Sequence, residues 1–231
     1  MLRWFISAGL IFITCIAFGQ QADSLTLPTA RNRFTPSGLR LGTDLITLIK
    51  SQAGNRFDGW EVNADVDFYR YYLTLDYGAW AKNLSLKNGN YQNDGNYWRL
   101  GVDVNFLLKD PDRNMFFMGI RYAGTTYNES LQYQYTDTNF GTVTQQLTNV
   151  DRTAQWSELV TGLRVKVWKE LWMGYTGRLK FSLSQKGPKA FDSYDIPGYG
   201  TLAKDVYWGF NYQVFWRFAW KKNLGATRLE K

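Results

Sequence analysis

WSELVTGLRVKVW (156–168), KE (169–170) and LWMGYTGRLKFSLS (171–184) decide the fold. In the first arm the odd positions are Ser157, Leu159, Thr161, Leu163, Val165 and Val167, and the even ones are Glu158, Val160, Gly162, Arg164 and Lys166. In the second arm Leu171, Met173, Tyr175, Leu179, Phe181 and Leu183 alternate with Gly174, Thr176, Arg178, Lys180, Ser182 and Ser184, and Gly177 interrupts the apolar set. A β-strand turns successive side chains to opposite faces, so period two reads as a hairpin with one apolar and one charged face. The turn falls at Lys169-Glu170. Each arm is long enough to cross a bilayer when tilted, which takes about 9–11 residues.

The same alternation recurs in both directions along the chain and predicts eight strands. They are Leu39–Leu48, Trp60–Phe68, Tyr71–Ala81, Trp98–Leu108, Met115–Tyr127, the two arms above, and Asp205–Phe218. Connections after strands two, four and six are short: Tyr69-Arg70, Lys109–Asn114 and Lys169-Glu170. Those after strands one, three, five and seven are longer, at about 49–59, 82–97, 128–155 and 185–204. An even strand count with short turns at one end and long loops at the other describes an all-β, eight-stranded antiparallel up-and-down transmembrane barrel over residues 38–218. Within the loops, 131–148 reads as a hairpin tip turning at Asp137–Gly141, so strands five and six continue as a projecting ribbon. GPKAFDSYDIPGYG (187–200) has the composition of an ordered loop folded over the barrel mouth.

Period two does not say which face is inside. A soluble ligand-binding barrel turns its apolar face inward. Three features favour the opposite. Gly42, Gly78, Gly101, Gly119, Gly162, Gly174 and Gly209 fall on the charged face, and a small barrel is crowded inside. Trp60, Trp98 and Trp208 begin strands on the apolar face, and Trp216 and Phe218 close the last one, as membrane-interface aromatics do. The apolar face is also continuous over every strand, and most strands add aromatics to it. With the charges inside, the lumen holds Asp44, Glu61, Asp65, Asp67, Asp76, Asp103, Glu158 and Asp205 against Arg40, Arg99, Arg121, Arg164, Lys166, Arg178, Lys180 and Arg217. Buried charges require partners. The balance predicts a lumen plugged by salt bridges, with acids of strands one to four facing bases of strands six and seven.

Residues 1–19 read as a signal peptide, with Arg3 as the positive region, Trp4–Phe18 as the apolar core and cleavage before Gln20. Residues 20–37 form a polar periplasmic lead-in and 219–231 a periplasmic tail. The chain has 231 residues, 17 % aromatics, a net charge of +7, no histidine and one cysteine. That cysteine, Cys15, lies in the leader, so thiolate chemistry, disulfides and Cys/His metal sites are not expected. Without histidine the usual general base is missing too, so neither an enzyme nor a cofactor is expected. Asp65 and Asp67 stand about 7 Å apart on one strand face, and lumen charge explains them better than a glycosidase pair. The basic residues alternate within strands rather than clustering, which argues against nucleic acid. The expected contacts are outer-membrane lipid and a protein partner in an envelope complex.

FFMGIRYA (116–123), Trp156-x-Glu158 at the start of the sixth strand, LWMGYTGRLK (171–180), FDSYDIPGYG (191–200) and GFNYQVFWRF (209–218) together resemble an uncharacterised family of small outer-membrane β-barrels in Bacteroidota, a domain of unknown function. The resemblance covers about 38–218 and implies fold and outer-membrane location, with no catalytic residues. It leaves the role as a structural or interaction subunit. A narrow pore for small solutes or ions is the alternative, and a soluble ligand-binding barrel the other.

Overall fold

The computed structural model describes residues 35–220 except 55, 112, 138–140 and 202–205. The signal peptide, the lead-in as far as residue 34, the tail beyond residue 220 and Asp205 lie outside the described residues. Eight long strands close a barrel: β1 (Gly38–Asp44), β2 (Phe57–Phe68), β3 (Tyr71–Leu86), β4 (Gly89–Asn105), β5 (Met115–Asp137), β6 (Gly141–Trp168), β7 (Leu171–Lys186) and, last in the chain, β10 (Tyr207–Ala219). Each pairs antiparallel with its neighbour in sequence, and β10 closes the ring on β1 with Leu39 opposite Phe218 and Asp44 opposite Gln213. The fold is therefore the all-β up-and-down barrel that the alternation predicts. Between β7 and β10, β8 (Asp195–Ile196) and β9 (Gly200–Thr201) form a small separate hairpin.

The two faces are sorted in the sense opposite to a soluble protein. Leu73, Leu75, Leu100, Ile120, Leu163 and Phe210 are exposed on the outside, while Glu61, Asp103, Glu158 and Arg178 are buried inside. This is the reverse of what the soluble ligand-binding alternative requires. The glycines of the inner face sit where there is no room for a side chain. A Cβ on Gly101 would meet the Arg121 stem, one on Gly162 the Phe117 ring, and one on Gly78 the Tyr97 ring.

The structure moves several boundaries, each for a physical reason. The first strand ends at Asp44 and not Leu48, because residues 45–52 form a helix, α1 (Leu45–Gln52). Asp44 caps it, accepting from the Ile46 and Thr47 amides at 3.3 Å each, which satisfies N–H groups that a helix start leaves open. Leu45, Leu48 and Ile49 thus follow helical spacing rather than period two. The expected loop 82–97 is not a loop either. β3 and β4 run on to Leu86 and Gly89 and turn at Lys87-Asn88. Beyond Tyr77 and Trp98 the outer face changes to Asn83, Ser85, Asn96, Asp94 and Gln92. Trp80, Leu84 and Tyr91 now lie on the inner face, so the apolar phase that marks these strands lower down no longer holds. β4 ends at Asn105 rather than Leu108, and β10 begins at Tyr207 rather than Asp205. The ribbon read from 131–148 is present, with β5 and β6 in register up to Asp137 opposite Gly141.

The barrel wall is consequently uneven. β5 and β6, 23 and 28 residues long, form a tall wall that rises past the rest of the ring at the loop end, where β3, β4 and β7 have 16 or 17 residues. On the opposite side β1 stops seven residues from the turn end, and α1 stands above it between β2 and β10.

Candidate functional site

The functional residues of this barrel are its lumen side chains, which period two delivers to one enclosed column. Starting at the turn end, Asp67 accepts from the Ser37 amide at 2.7 Å and pairs with Arg217 at 3.1 Å, both still partly open to solvent. One layer further in, Asp65 takes Arg40 at 2.7 Å and Arg164 at 2.9 Å, and Arg164 also reaches Asp103 at 3.3 Å. The Arg164 guanidinium lies between the rings of Phe117 and Phe215, 4.6 and 4.8 Å from their centroids. Such stacking suits a planar, weakly hydrated cation.

The middle layer is the most heavily cross-linked. Arg178 donates to Asp76 and Glu158 at 3.0 Å each and to Asn211 Oδ1 at 2.6 Å. Arg99 pairs with Glu61 at 2.7 Å and Glu158 at 3.1 Å. Arg121 joins Asp76 and Asp103, linking this layer to the one below. Asn63 donates to both Glu61 and Asp76 at 2.8 Å, which keeps the two like charges apart but tied. Tyr97 and Trp156 donate to Glu61 and Glu158 at 2.7 and 2.8 Å. Bases of β6 and β7 thus meet acids of β2, β3 and β4 across the barrel. Glu61, Glu158 and Arg178 are 1 % exposed and Asp103 0 %. A water-wide passage along the lumen would leave accessible surface on these side chains, and they have none to speak of.

At the loop end the segment after β7 turns down into the barrel. Arg99 Nη2 and Lys180 Nζ both donate to the Gly198 carbonyl, at 3.0 and 2.7 Å, and Lys180 also donates to the Tyr199 carbonyl at 2.8 Å. Gly198 has φ +79, and a Cβ built there would run into the Tyr97 ring, so a side chain is excluded both by conformation and by space. Ile196 and Tyr199 are buried with Tyr97, Tyr127 and Trp156, and Tyr199 meets Trp156 edge to face at 5.6 Å. Higher up, Glu129 gathers Ser193 at 2.6 Å, Asn149 at 2.8 Å and Tyr91 at 2.9 Å. Burial and then the Glu129 carboxylate push the Tyr91 phenol well above its usual range. Asp195 pairs with Lys82 at 3.0 Å.

The structure places most of the residues singled out in the sequence on this column: Arg40, Asp44, Glu61, Asp65, Asp76, Arg99, Asp103, Arg121, Glu158, Arg164, Arg178 and Lys180 are all buried. Asp44 departs in role, since it caps α1 and takes Asn211 Nδ2 at 2.9 Å instead of joining an ion pair. Lys166 is a correction. It is exposed near the turn end, where the register of β6 against β7 is broken between Lys166 and Trp168. Its backbone amide, not its ammonium, makes the contact, to Asn114 at 2.9 Å. Trp60, Trp98, Trp208, Trp216 and Phe218 all point outward and are exposed. Sequence reading missed Asn63, Tyr97, Trp156, Glu129, Arg152 and Asp195. Tyr97 and Trp156 read as apolar-face residues by composition, and only their phase in the strand marks them as inward. Among the described residues no three metal-ligating side chains gather.

The chain belongs to the family described as Domain of unknown function (DUF6048), whose pattern matches residues 1–222. No curated protein sequence matches it. Among solved structures it is similar to CarO of Acinetobacter baumannii, with 13 % identity over 82 % of this chain and 100 % of that one and a TM-score of 0.38.

Proposed function

We propose that this DUF6048 member is a non-enzymatic barrel of the outer membrane, closed by its own lumen side chains, that serves as a structural or interaction subunit of an envelope complex. The observation that carries the reading is the inverted burial. The outward band on β10 runs from Trp208 to Phe218. Ten residues of strand span about 34 Å at ~3.4 Å each, or about 26 Å of height at a tilt of about 40°. That matches the apolar belt of an outer-membrane barrel, about 25 Å tall. Trp60, Trp98 and Trp208 stand at one edge of the band, with Asp58 and Asn96 directly beyond, and Trp216 and Phe218 stand at the other. The resemblance to Bacteroidota barrels supports the same location.

The filled lumen speaks against the conduit alternative, because ion pairs with 0–1 % exposure leave no aqueous path. The test has two parts. Fractionated cells should yield the chain in the outer membrane, migrating differently before and after boiling. Planar bilayers with the purified protein should stay electrically silent. Steady conductance that changes when Arg178 or Glu158 is neutralised would replace this reading with the conduit.

A further inference from the structure

Among the described residues the tall wall has a bare edge. β6 pairs with β7 only as far as Thr153 opposite Lys186, and the loop after β7 covers β6 near Asn149 through the Ala190 amide and Phe191 carbonyl. From Gly141 to Thr148, no strand among the described residues pairs with β6 on the side away from β5. The hydrogen-bonding phase of this edge can be worked out. The Gln134 amide of β5 donates to the Asn88 carbonyl at 2.7 Å and so points away from β6. Its partner across the ladder is Thr144, and in an antiparallel pair of this kind both residues turn N–H and C=O outward. Thr142, Thr144, Gln146 and Thr148 therefore present their backbone groups to the open side, and Val143, Gln145 and Leu147 bond to β5.

Natural proteins blunt such an edge with lysine, proline, a bulge or a cover. GTVTQQLT (141–148) has no proline and no charge, keeps its register, and is rich in β-forming residues. Its side chains are sorted too: Val143 and Leu147 are half-buried on the side of Tyr133, while Thr142, Thr144 and Gln146 are exposed on the other. An unblocked row of main-chain donors and acceptors with a two-faced, neutral border is complementary to one chemistry, an extended peptide.

We infer that the β6 edge at Gly141–Thr148 receives a strand from a different protein, an uncharged extended segment that alternates apolar and polar residues. This rests on the proposed role as an interaction subunit and names its site. A second copy of this chain fits less well. Two barrels in one membrane share their orientation along the membrane normal, so the β6 edges of two copies would meet in parallel. A parallel ladder is the weaker one per residue, and a separate chain is free to run antiparallel. Recognition through backbone and apolar contacts, without charge, makes the association insensitive to salt.

The phase supplies a selective variant. Gln146→Pro removes an outward N–H and spares the β5 ladder, as edge proline does. Amide hydrogen exchange is followed for 141–148 in isolated outer membranes and in the protein purified in mild detergent. The native complex is sized on a non-denaturing gel, at low salt and at about 0.5 M salt, where exposed charges are strongly screened. The proposal expects the outward amides to exchange at least about tenfold more slowly in the native membrane than after purification, a difference of about 1.4 kcal/mol. It also expects Gln146→Pro to lose that protection and the larger complex while the barrel itself still resists unfolding. Equal exchange in both settings overturns the proposal. If a large complex persists unchanged with Gln146→Pro, the subunit role stands and the edge does not. If the wild-type barrel migrates alone, both readings fall. Cross-links from Gln146 to a second copy of the chain overturn the choice of partner.

Discussion

The wall of this barrel is closed in two different ways. Along β5 and β6 the closure is all backbone, a ladder that continues from Met115 opposite Arg164 to Asp137 opposite Gly141, with one register shift between Tyr127 and Glu129. Along the seam of β10, β1 and β2 the ladder stops at Asp44, and side chains take over. The Tyr212 amide, which has lost its strand neighbour, donates to Asp44 Oδ1 at 3.0 Å. Thr43 Oγ1 donates to the Glu61 carbonyl at 2.7 Å, and Ser51 Oγ accepts from the Gly59 amide at 3.3 Å. A ladder distributes its strength over many equivalent bonds. The seam concentrates it in three side chains, one of them carried by α1 and another capping it. Single substitutions should therefore hurt the seam and be absorbed by the ladder.

The lumen joins the two walls, so its removal tests the comparison most severely. Arg178 of β7 holds Asp76, Glu158 and Asn211 together. Arg178→Met leaves two buried carboxylates short of a cation and should cost about 3–5 kcal/mol, read as a lower urea midpoint in detergent. Equal stability would mean that the ladder alone holds the ring. Second in size is Asp44→Ala. It strands Tyr212 N–H, Asn211, the Thr47 hydroxyl at 2.6 Å and the start of α1 at once. The expected loss is about 2–4 kcal/mol, with new proteolytic cleavage confined to 45–59. Thr161→Ala on the tall wall is the matched control. Its hydroxyl donates to the Phe117 carbonyl at 3.1 Å, but the ladder around it is intact, so about 0.5–1 kcal/mol is expected. If the control costs as much as Asp44→Ala, the contrast between the walls is wrong.

How far these features are legible in the sequence depends on contrast between faces. Where one face is apolar and the other charged, as in Leu159–Val167, the strand, its phase and its inward residues can all be read. Where the outer face turns polar, as in Asn83–Asn96, the strands continue but the apolar phase that marks them is lost. Asp44 shows a different failure. LGTDLITLIK (41–50) satisfies period two for its first residues, and the helix signal, an N-capping Asp before Leu45, Leu48 and Ile49, overlaps it. The descent of 187–200 into the lumen rests on Arg99 and Lys180 meeting the Gly198 carbonyl, contacts between residues far apart in the chain and made to backbone, which no residue pattern announces.

The smallest expected effect sharpens the comparison best, because it isolates one sealing bond. Ser51 is on the last turn of α1, and its hydroxyl both accepts from Gly59 N–H and donates to Asp58 Oδ1 at 2.6 Å. Gly59 is buried, while Asp58 is exposed. Ser51→Ala should therefore lose little at the Asp58 end, where water replaces the partner. At the Gly59 end it leaves a buried amide open, and the total is about 0.5–1.5 kcal/mol. Global unfolding is too coarse to resolve that. Exchange of the Gly59 amide is not: it should quicken about threefold to tenfold, while the Gly162 amide on the tall wall keeps its rate. Quickening at both positions would mean that α1 steadies the whole ring. Quickening at neither would mean that the seam is sealed by packing of α1 against β2 and β10, with the Ser51 hydrogen bond incidental.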